Sequence, residues 1–124
     1  MRFAKRVFTI AGIWGLLIVV PLFFLQDVVE RQSPPAITHP EFYYGFVAVT
    51  TAWQIAFLII GADPVRLRPL FPAAVLEKVG WVGTVTVLFA LGRVPASSLI
   101  FGAIDGLLGV LFIAAMIKTA PPRL

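Results

Sequence analysis

The chain contains no cysteine and a single histidine, His39. Without thiols there is no disulfide framework, no thiolate metal site and no thiol redox chemistry. One histidine leaves no imidazole cluster for a metal, and neither a serine triad nor a zinc-protease motif forms around it. A phosphate-cradling glycine loop is also missing. No metal or cofactor is expected, and no catalytic residue set emerges. Charge is scarce as well, at 13% of residues, about half the quarter usual in soluble domains. The 10 lysines and arginines exceed the 6 aspartates and glutamates, for a net charge of +4. They are scattered through short loops with no basic stripe, so nucleic acid is not an expected partner.

What the chain has in quantity is apolar surface. Of its 124 residues, 60% are hydrophobic, and its mean hydropathy is +0.97. So short a soluble fold leaves much of its surface in water, so this surplus calls for lipid. The bilayer is the first expected partner. The expected fold is all-α, an integral membrane four-helix bundle forming one membrane domain over residues 1–124.

A bilayer core takes about 20 apolar residues as helix. Four stretches qualify: Val7 to Leu25, Phe42 to Ala62, Pro72 to Gly92 and Ser97 to Ile117. The longest separator, Gln26 to Glu41, is expected outside, with Pro34-Pro35 holding part of it extended. Thr38 and Glu41 have capping-box spacing ahead of the second helix. Asp63-Pro64 reads as a cap followed by a first-turn proline, Pro72 suits the opening of the third helix, and Ser97 or Ser98 is placed to cap the fourth. The basic residues give the direction. Arg2, Lys5, Arg6, Arg66, Arg68, Lys118 and Arg123 fall on one side, and only Arg31 and Arg93 on the other. The expected topology is N-in, C-in, with Lys78 reaching back to the basic side. The first span follows a positive segment, Met1 to Arg6, as a signal peptide does. Its apolar run is longer than a typical signal core, with no small-residue cleavage site after Leu25, so an uncleaved helix is expected.

Asp105 stands near the middle of the fourth span, where a carboxylate is a functional-site hypothesis by default. It shares a helix face with Ser98, Gly102 and Gly109, and Gly102 with Gly106 forms a G-x-x-x-G that permits close helix approach. Thr50 and Thr84 are expected at its depth, with Thr51 close and Gln54 deeper. Those five residues form one candidate intramembrane polar site. The alternative is an aspartate that only fixes helix packing through interhelical hydrogen bonds.

Glu77, Lys78, Arg66 and Arg68 form a candidate inner-leaflet ion cluster, with an arginine rather than Lys78 as the expected partner of Glu77. His39, Glu41, Tyr43, Tyr44 and Arg93 form a candidate outer-rim cluster, in which His39 could sense pH and Glu41 could pair with Arg93. The blander reading of that cluster is a cap, interfacial tyrosines and a rim salt bridge. Trp14, Trp53 and Trp81 fall inside spans and read as packing or lipid-facing groups.

Small exporters that carry a glutamate in their first helix are a poor match, because Val7 to Leu25 has no charge. The basic start Met1 to Arg6, the polar break Asp63 to Pro69 and the glycine-rich Phe101-Gly102-Ala103-Ile104-Asp105-Gly106 resemble the DoxX-like group, small bacterial four-helix membrane proteins that include BphX-like members. That resemblance implies an accessory or redox-associated membrane subunit and carries over no catalytic residue. The expected function is an accessory or scaffold subunit in a cell membrane, bacterial and inner. It would associate with a second copy or a membrane partner through Gly102, Gly106 and Gly109. The alternative is a small oligomeric transporter or channel with Asp105 as its coupling or ligand group.

Overall fold

The computed structural model describes residues 2–120. Arg123, one of the basic residues used for direction, lies outside them. Among the described residues every regular element is helical. The helices are α1 (Arg2–Val19), which continues as a 3-10 segment over Val20–Phe24, then α2 (Gln26–Gln32), α3 (Pro40–Ala62), α4 (Phe71–Ala90) and α5 (Ser98–Lys118), with a 3-10 turn at Arg68–Leu70 leading into α4. Four helical segments are long and apolar enough to cross a membrane: Arg2–Phe24, Pro40–Ala62, Arg68–Ala90 and Ser98–Lys118.

The long helices pack as two close pairs, α1 with α3 and α4 with α5. The pairs are joined mainly through α1 and α5, while α3 and α4 barely touch. Glycines set how closely each pair approaches. A methyl on Gly61 of α3 would stand 2.6 Å from the Thr9 hydroxyl of α1, and one on Gly12 would stand 2.7 Å from Leu58. In the other pair, Gly102 faces Val85 and Gly109 faces the Lys78 stem, at 2.8 Å and 3.3 Å from where a methyl would be. The glycine face of α5 is therefore used inside the chain. Gly106 of the same face is half-buried, with Val82 at an ordinary 3.8 Å from where a methyl would be.

One phenylalanine from each long helix meets in a common cluster. Phe8, Phe57, Phe71 and Phe112 are all fully buried. Phe8 stacks on Phe112 at 4.3 Å and lies 4.7 Å from Phe71, and Phe57 meets Phe112 edge-on at 5.0 Å. Phe8 and Phe71 are near the starts of their helices, whereas Phe57 and Phe112 are near the ends, so successive long helices run antiparallel. Arg68 ties the same end together: its guanidinium donates twice to the Met116 carbonyl, at 3.0 and 3.2 Å, satisfying an orphan carbonyl of the last turn.

Several local expectations are corrected. Within the Gln26 to Glu41 separator, residues 33–39 around Pro34-Pro35 are not helical, but Gln26–Gln32 form the unexpected helix α2. It forms because Glu30 binds at both ends of the segment, accepting from Gln26 at 3.1 Å and from the Ile37 amide at 3.0 Å. The Thr38–Glu41 capping box is absent: α3 opens at Pro40 behind His39, with no side-chain cap. Proline in the first turn has no amide to satisfy, and the Phe42 and Tyr43 amides bond to the His39 carbonyl instead. Ser97 precedes α5 but makes no side-chain cap bond. Asp63 does accept from the Arg66 amide, at 3.4 Å. The third span stops at Ala90, followed by Gly92 at φ +71°. The Arg93 amide reaches back to Leu88 at 2.8 Å and the Gly92 amide to Phe89 at 2.9 Å, the double closure that a left-handed glycine allows.

A charge centre between α4 and α5

Lys78 is 3% exposed, a rare degree of burial for an ammonium. It is the seventh side chain on from Phe71, and the face it shares with Phe71, Ala74 and Val85 is the buried face of α4. Its Nζ lies 3.4 Å from Asp105 Oδ1 across the α4–α5 contact and 3.4 Å from Glu77 Oε2 beside it. The amine also stands 5.0 Å from the ring centroid of Phe57 on α3. That is within cation–π range. Gly109 makes room for the stem, so the small-residue face of α5 and the buried lysine depend on one another.

The centre is deep. Residue 79 is the midpoint of Arg68–Ala90 and residue 108 that of Ser98–Lys118, so Lys78 and Asp105 lie about 1.5 Å and about 4.5 Å from their span midpoints. Charges at such depth face the protein interior or an aqueous or ligand-bearing cavity and pair with one another. Two carboxylates flank one ammonium, so with both ionised the centre carries one negative charge beyond its internal counterion. Glu77 Oε2 is buried and, though near Lys78, makes no hydrogen bond.

This arrangement changes how the candidate residues group. Lys78 does not reach back to the basic end, because Asp105 and the Phe57 ring hold it at mid-span. Glu77 pairs with its neighbour Lys78 rather than with Arg66 or Arg68. Adjacent helix residues diverge at Cα, but both side chains are long and bend toward the same buried point. Arg68 is committed to Met116, so the four-residue ion cluster is not formed.

The five-residue polar site around Asp105 is also divided. Thr51 bonds back to the Val47 carbonyl at 2.7 Å, and Gln54 donates to the Thr50 carbonyl at 3.0 Å. The Gln54 side chain is buried against Gly15 of α1, and its Oε1 has no protein partner. Among the described residues no hydrogen bond joins Asp105 to Thr50, Thr51, Gln54 or Thr84. Thr50 and Thr84 instead face a groove between α3 and α4, together with Glu77.

That groove has a volume of about 380 Å³ and is walled by Phe46, Val49, Trp53, Leu76, Gly80 and Trp81 besides those three polar residues. Phe46 and Trp81 stack across it at 5.4 Å. A larger hollow of about 490 Å³ along Val79, Gly83 and Val87 carries no charged group, so the chemistry lies at the smaller one.

At the opposite end from the phenylalanine cluster, Tyr43 donates to the Leu22 carbonyl at 2.6 Å and Tyr44 to Gln26 at 2.8 Å. His39 faces Glu41 at 3.4 Å, both largely exposed. Glu41 therefore pairs with His39 and not with Arg93, whose side chain has no ion pair among the described residues. Sequence reasoning missed Gln26 and Glu30, which organise this end. Their spacing of four on a polar stretch was the available signal. No group of residues suited to a metal occurs among the described residues. Comparison with protein families, curated proteins and solved structures gives no match.

Proposed function

We propose that the protein is a four-helix, multi-pass transporter of a cell membrane, N-in and C-in, that handles a cation at the Glu77–Lys78–Asp105 centre. The observation that carries this reading is a lysine 3% exposed at mid-span between two carboxylates. Desolvating such groups costs several kcal/mol per ion, and a packing role would be served at less cost by apolar residues. One excess negative charge gives the centre a reason to take up a cation, the proton included. The orientation rests on the basic residues at the end that holds the start of α1, the α3–α4 link and the end of α5.

Proteoliposomes test it. Wild type should pass protons or a monovalent cation down an imposed gradient, and Glu77→Gln and Asp105→Asn should each abolish that flux while retaining helical content. A wild type inert toward a broad panel of ions and amphiphiles contradicts transport.

A second reading, the accessory or scaffold subunit, is favoured by one surface. Gly45, Ala48 and Ala52 are exposed along α3, and a side chain on Gly45 would meet nothing within 4 Å. Small residues suit close helix association in lipid. On that reading Gly45→Leu disperses a complex isolated from membranes without loosening the chain itself, which size measurement in detergent would show.

A further inference from the structure

The groove between α3 and α4 stands beside the charge centre. Its contents are more specific than those of a lipid-facing seam. Glu77 reaches it from α4, Trp81 and Thr84 stand on the same helix, and Phe46, Thr50 and Trp53 face them from α3. It is an open groove of about 380 Å³ rather than an enclosed cavity. Its lining follows the usual form of small-molecule sites, mostly apolar and aromatic with a few polar groups.

We propose that this groove binds a lipid-soluble organic monocation, a quaternary or protonated amine or its phosphonium equivalent carrying apolar groups. This deepens the transport reading by naming the substrate class, and it rests on that reading only for the movement of the ligand. Charge selects the ligand: the centre holds two carboxylates against one ammonium, and Glu77 is the acidic group that lines the groove. The walls select it again, because indole and phenyl faces attract cations, most strongly where water is excluded. The route sets solubility. The groove opens sideways where α3 and α4 barely touch, so between two spanning helices the ligand enters from lipid. Lys78 is not among the residues that line the groove, although its amine stands 3.4 Å from Glu77 Oε2 and is shared with Asp105.

Tetraphenylphosphonium is a suitable probe, with neutral triphenylphosphine oxide as its control. Binding is measured on the full chain in lipid nanodiscs, and flux of small ions is measured in parallel in proteoliposomes. Wild type should bind the phosphonium saturably and the oxide at least tenfold more weakly. Glu77→Gln should lower phosphonium affinity at least tenfold. Thr84→Phe fills the groove from an exposed position without touching the charge centre, and should lower affinity by a similar factor with helical content unchanged. If Glu77→Gln does not fold, Thr84→Phe decides. Absence of saturable binding, equal binding of the oxide, or undiminished binding in folded Thr84→Phe overturns the proposal. Loss of binding with ion flux intact would reject the ligand class and leave the transport reading standing. Binding without any flux would reject transport and leave the groove assignment standing.

Discussion

At the scale of single residues, the molecule depends on what surrounds Lys78. The amine is fixed by two carboxylates at 3.4 Å and by an aromatic face at 5.0 Å, while its stem packs closely over Gly109, 3.3 Å from where a methyl would be. Removing one partner of a buried pair leaves an uncompensated charge and costs about 3–5 kcal/mol. Lys78→Met strands both carboxylates and is expected to lose about 3 kcal/mol of stability, reduced where they can neutralise, whereas Asp105→Asn leaves the Glu77–Lys78 pair and should lose less. The double variant should lose much less than the sum. A double-mutant cycle on unfolding in detergent measures this, and strictly additive losses would show that the two do not interact. Asp105 was legible in the sequence because a mid-span carboxylate stands out in an apolar run. Its partner was not, because Lys78 lies close enough to the basic end for snorkelling to be the simpler expectation. Only the rotation of α4, set by Phe71, Ala74 and Val85 on its buried face, shows that the lysine points inward.

At the scale of elements, two tight helix pairs enclose one loosely closed seam. The pairs are set by glycines meeting side chains, so substitutions at different glycines should separate cleanly. Gly61→Ala forces a methyl to 2.6 Å from Thr9 and is expected to cost about 1–3 kcal/mol through overpacking. Gly45→Ala meets nothing and should gain up to about 1 kcal/mol from helix propensity. Thermal unfolding in detergent distinguishes them. The phenylalanine cluster offers a third case. Lipid is as apolar as the core, so Phe112→Ala loses little transfer energy. It does leave a void of roughly 100 Å³, which at about 24 cal/mol per Å³ costs about 2 kcal/mol. The four spans were legible because length and hydropathy are summed over some twenty residues and tolerate local error. Caps and α2 were not: each turns on a few hydrogen bonds, such as those of Glu30 with Gln26 and Ile37, that form only when distant chain segments meet.

For the whole molecule, the architecture joins an aromatic cluster at the end where α1 begins and α5 finishes, a charge centre at mid-depth and a groove beside it. Tagging either terminus with a side-specific reporter should place both in the cytoplasm, and a reporter between Ser33 and His39 should be outside. A reporter found on the unexpected face would reverse the orientation without altering the packing. On the proposed reading the buried charges do work beyond holding helices together. The triple variant Glu77→Gln, Lys78→Met, Asp105→Asn isolates that work, because it removes every charge of the centre at nearly constant volume and leaves no unpaired ion. Reconstituted beside wild type, it should match wild type in unfolding temperature to within a few degrees and pass no cation. If it instead carries cations as wild type does, the charges serve packing alone and the account is contradicted.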